Sequence, residues 1–126
     1  MTATLDTLLI NAELARSTAI ATGLEAQRAD RVHAAALLAA RAVARARALA
    51  WSTHAPTETA DELETAFHDT FRSLAAAYNV AATAALAHER ARLAYVTASV
   101  TTLEAGWADD GNDGTVQVGP TERIRR

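Results

Sequence analysis

Trp51-Ser52-Thr53-His54-Ala55-Pro56-Thr57 is the one strong break in this chain before its C-terminal end, and reading it decides the fold. Before it, residues 3–50 contain no proline and a single glycine, Gly23. After it, residues 58–105 contain neither. Two long helix-compatible stretches meeting at one turn predict an all-α protein, an antiparallel hairpin of two long helices, each about 70 Å long if unbroken. We take residues 1–107 as the helical hairpin and 108–126 as an extended polar tail. Gly23 weakens the first helix by about 1 kcal/mol relative to alanine. It therefore allows a kink there, or a break that would give a three-helix bundle.

Local signals frame both helices. Thr2 or Thr4 can cap the first, with Asp6 in its opening turn. Arg41, Arg45 and Arg47 sit towards its end, where cations complement the helix dipole. Pro56 stops what precedes it. Thr59-Ala60-Asp61-Glu62 then matches a capping box, with Thr57 as the competing cap. Glu58, Asp61, Glu62 and Glu64 load the start of the second helix with acid. The arginine end of one helix thus lies beside the acidic start of the next, so salt bridges across the turn are expected.

The packing is harder to read. Alanine fills 33 of the 126 positions, and aromatic residues make up only 5%. Such a thin core favours close helix–helix approach and calls for a partner. The second helix carries a stripe of Phe67, Phe71, Leu74, Tyr78, Ala81 and Ala85, then Leu93, Val96, Val100, Leu103 and Trp107. This stripe advances at about 3.6 residues per turn, the spacing of straight bundle helices. Glu89 interrupts it, beside His88, Arg90 and Arg92. Phe67, Phe71 and Tyr78 at this spacing read as core, with a partner groove as the other reading. The first helix differs, because its large apolar residues share no single face. Leu9, Ile20, Leu38 and Leu49 fall on one side, Ile10, Leu14, Val32 and Val43 on another. A helix that is apolar on several sides is usually buried on several sides, so Ile20 and Leu38 become interface candidates. Trp51 and Trp107 are candidates too, either capping the bundle ends or anchoring an interface.

The tail changes character. Asp109-Asp110-Gly111-Asn112-Asp113-Gly114 is turn-rich and acidic. Val116 and Val118 alternate like a short strand, and Arg123 and Arg125 make the end basic. This segment is either a frayed terminus or an arm that docks on a neighbouring subunit by strand addition or charge; we expect the arm.

Composition and motifs narrow the function classes. With no cysteine, thiolate metal sites, disulfides and cysteine nucleophiles are excluded. The net charge is −3 and all 12 basic residues are arginine, which disfavours a nucleic-acid partner. The Ala/Arg bias suggests a GC-rich genome such as that of an actinobacterium or its phage. His33, His54, His68 and His88 offer Asp30-x-x-His33 and Glu64-x-x-x-His68, neither of which is the Glu-x-x-His motif of a di-iron bundle. No nucleophile elbow or glycine-rich phosphate loop occurs. We therefore expect no catalytic residue, cofactor or metal. The N-terminus lacks a basic n-region, and the apolar run Ala34 to Ala40 is too short to span a bilayer. The expected location is cytoplasmic, virion-borne or reached by leaderless export.

A helical hairpin with Trp51 at its turn, small size and this composition resembles the small WXG-type proteins of type VII secretion. Thr53 stands where that family has glycine. The family's Tyr-x-x-x-Asp/Glu signal has no counterpart, since Tyr95 is followed by Ser99 and Tyr78 by Ala82. The resemblance implies hairpin dimers exported without a cleaved signal. The expected function is a non-catalytic packing subunit whose partner is itself or a paralogous helical subunit. The alternative is a bacteriophage virion structural protein, such as a neck, connector or capsid-associated subunit.

Overall fold

A computed structural model describes residues 4–112, with side chains as far as residue 108. It is an all-α helical hairpin: α1, Leu5–Ser52, and α2, Thr57–Asn112, joined by a short turn. The remainder of the expected tail, 113–126, with Val116, Val118, Arg123 and Arg125, lies outside the described residues.

Each end of α1 has a local cause. Thr4 is its N-cap: its Oγ1 accepts the Thr7 N–H at 3.1 Å and its carbonyl accepts the Leu8 N–H at 3.0 Å. The helix passes through Gly23 without interruption, so the three-helix alternative does not form. At the C-terminus His54 takes a left-handed φ of 55°. Its N–H bonds the Trp51 carbonyl at 3.3 Å, and the Ala55 N–H reaches back to the Ala50 carbonyl at 2.9 Å. This pair of bonds is a Schellman ending, with histidine in the place glycine usually takes.

Three local expectations are corrected. Pro56, not Thr57 or Thr59, ends the turn and opens α2: its carbonyl accepts the first helical N–H, from Ala60, at 3.0 Å. Proline's fixed φ suits that entry, and it leaves the Thr59–Glu62 box inside the helix. No basic residue lies in the last turn of α1. Trp51 belongs to that last turn rather than to the loop.

The described chain divides into two compact units, one formed by residues up to Ala21 with those from Glu89 onward, the other by Thr22–His88. In the Thr22–His88 unit, the shielded positions of α1 are Thr22, Ala26, Ala29, His33, Ala36, Ala40, Val43, Arg47 and Ala50. Those of α2 are Ala60, Leu63, Phe67, Thr70, Leu74, Ala77, Ala81, Ala84 and His88. Flanking positions such as Leu37 and Ala44 are half-shielded. Both series step by three and four residues in alternation, the 3.5-residue spacing of a coiled-coil seam. In the other unit the same steps recur at Leu5, Leu8, Ala12, Ala15 and Ala19, and at Ala91, Tyr95, Ala98, Thr102 and Ala105. The spacing of 3.6 expected from the large apolar residues is therefore corrected to 3.5. The seam consists mostly of small residues, and Ala29, Ala40, Ala50, Ala77 and Ala81 are its buried members.

Candidate interaction surface

Because alanine occupies much of the seam, many of the large apolar side chains face outward. Among the described residues no large side chain is fully buried. Ile20 is 50% exposed, Leu38 66%, Trp51 58% and Trp107 52%. Phe71 and Tyr78, at 43% and 59%, are corrected from core to surface. Leu93, Val96, Val100 and Leu103, taken as part of the packed stripe, are also exposed. Phe67 alone of the three expected core aromatics is half-buried.

The Thr22–His88 unit builds its most organised surface beside the turn. The Arg47 guanidinium donates to both carboxylate oxygens of Glu64, through Nε at 2.8 Å and Nη2 at 3.2 Å. This is the expected salt bridge from α1 to α2. The same guanidinium lies 4.3 Å from the Trp51 ring centroid and 4.1 Å from that of Phe67, within cation–π range of both. Phe67 in turn packs on Phe71 with ring centroids 4.5 Å apart. His68 Nε2 sits 3.2 Å from Glu64 Oε2. The hydrogen bond from Arg47 holds the Glu64 carboxyl below its ordinary value of 4.5; partial burial opposes this, and the charges of Arg47 and His68 add to it. Trp51 is thus fixed on one face by Arg47 while most of its ring stays in solvent.

Further along this unit, His33 meets Tyr78 edge-on at 5.7 Å. They border a shallow groove of about 480 Å³ with Leu37, Phe71, Leu74 and Asn79. At the far end, His88 Nδ1 lies 3.3 Å from the Thr22 hydroxyl, and its ring occupies the space beside Gly23. Sequence spacing alone does not reveal these histidine contacts, because each joins residues far apart in the chain. In the other unit, Thr102 Oγ1 donates to the carbonyls of Leu8 and Ala98, at 3.2 and 2.8 Å.

Among the described residues no three His, Asp or Glu side chains converge as metal ligands, and no helix is long and apolar enough to cross a membrane. What the arrangement offers chemically is apolar area edged by charge. Compared with known proteins, the chain matches no family model, no curated protein and no solved structure.

Proposed function

We propose that this chain is a non-catalytic helical packing subunit, one that completes its hydrophobic burial against other helices in a protein assembly. The observation that carries the reading is the inversion of the usual pattern. The buried apolar residues are alanines, whereas Leu38, Leu49, Ile10, Leu14 and Val80 are each at least 60% exposed. Exposed apolar area on this scale marks an interaction surface. Within this reading, a small type VII secretion-associated helical protein is supported by the hairpin and by Trp51 beside its turn. A virion structural subunit is the second reading, favoured by the spread of exposed residues such as Leu9, Leu14, Ile20 and Val32 over two sides of α1.

Light scattering behind size exclusion, paired with melting curves at several concentrations, tests the proposal. A discrete oligomer whose melting temperature rises with concentration is expected. A dimer favours the secretion-type hairpin, and a large closed ring favours the virion subunit. A monomer with a sharp, concentration-independent melt would overturn the packing-subunit reading.

A further inference from the structure

We infer that a second copy of this chain packs antiparallel on the outer stripe of α2 formed by Leu93, Val96, Val100, Leu103 and Trp107. The inference rests on the packing-subunit reading above and gives it a surface and an occupant.

The stripe lies wholly in the unit that contains Glu89–Asn112. Its members are 45–55% exposed, and their steps are three, four, three and four residues. That is a second coiled-coil seam. It sits about 160° around α2 from the shielded series Ala91, Tyr95, Ala98, Thr102 and Ala105, at about 100° per residue. One helix with two such seams has a place for two helices, and α1 can fill only one of them. The spacing fits a helix and not an extended strand, whose side chains repeat every two residues. This disfavours the Val116–Val118 segment as the occupant.

The second copy is chosen by self-complementarity. With the two-fold axis level with Ala98, Leu93 meets Leu103 of the second copy, and Val96 meets its Val100. These layers recur by symmetry, as an isologous contact requires. The flanking charges fit the same register. Arg90 falls within two residues of Glu104 of the second copy, on the same flank of the stripe, so opposite charges meet at both ends. Trp107 reaches the Glu89–Arg92 pair of the second copy, where Arg92 is held at 2.7 Å by Glu89 and can face the indole. A parallel register sets Ser99 and Thr97 beside Glu104 and Arg92, with no opposite charge.

The test uses the full chain in sedimentation equilibrium, with circular dichroism to follow helicity. The wild type is expected to be a dimer. Val96→Asp/Val100→Asp, at exposed positions, should keep its helicity and dimerise at least roughly a hundredfold more weakly. Arg90→Glu and Glu104→Arg should each weaken the dimer about tenfold, and together restore it to within about threefold. Self-association unchanged in Val96→Asp/Val100→Asp would overturn the stripe and leave the packing-subunit reading standing. Failure of the double charge reversal to restore pairing would overturn the antiparallel register. A wild type that is monomeric at every concentration, with a fixed melting temperature, would overturn both.

Discussion

A Cβ placed on Gly23 would stand 3.1 Å from Cε1 of His88. The only glycine between residues 3 and 105 is therefore where the opposite helix of its unit presents an imidazole. Alanine at a helix interior is favoured over glycine by about 1 kcal/mol, but this contact demands that the ring give by a few tenths of an ångström. We expect Gly23→Ala to be near neutral in the wild type and to stabilise by about 1 kcal/mol once His88→Ala has removed the ring. Urea unfolding of the two singles and the double measures the coupling. Equal gains in both backgrounds would mean that His88 does not constrain Gly23.

His54 holds a left-handed φ of 55° so that the Schellman bonds can close. That conformation costs a residue with a Cβ about 1–2 kcal/mol, and glycine escapes the cost. His54→Gly should raise stability by about 0.5–1 kcal/mol after the extra backbone entropy of glycine is counted. His54→Ala keeps the strain and should bring no gain. A His54→Gly protein that melts lower than wild type would show that the imidazole itself supports the turn.

Some of this was legible in the sequence and some was not, for one physical reason. Caps and breaks act locally, so the sequence narrowed the first cap to Thr2 or Thr4 and put the break within Trp51–Thr57, although the turn itself starts only after Ser52. The Arg47–Glu64 pair follows from bringing the two sides of that break together. Packing is not local. Reading periodicity from Phe71, Tyr78, Leu93 and Val96 follows heavy side chains, and here these four face solvent. Alanine carries little signal, because it occurs both on the seam, as at Ala40, and on the open face, as at Ala35. His54 in a position suited to glycine, and Pro56 as the effective start of α2, run against preference and could be found only from the backbone.

The Arg47–Glu64 bond makes stability depend on acid. The folded Glu64 carboxyl titrates below its ordinary value of 4.5. Its contribution is therefore full above that pH and fades as pH falls through the lowered folded value. Glu64→Gln should melt below the wild type at neutral pH, and the gap should shrink steadily under acid conditions. Thermal melts from about pH 7 to about pH 3 follow it. A gap of constant size over that span would show that the carboxylate charge is not what Arg47 recognises.

The alanine seam sets the last expectation. Ala40 is 1% exposed, and the distance between packed helices follows the size of the side chains at their contact. A leucine there has no room unless the helices of the unit move apart, which sacrifices the shielding of neighbours such as Ala36 and Val43. Overpacking of this kind costs about 1–3 kcal/mol. Ala35→Leu makes the same chemical change at an exposed site and should shift stability by less than about 0.5 kcal/mol. Urea midpoints of the two variants separate the cases. If Ala40→Leu were as stable as Ala35→Leu, the seam would not be the tight element of this fold, and its buried alanines would reflect composition rather than packing.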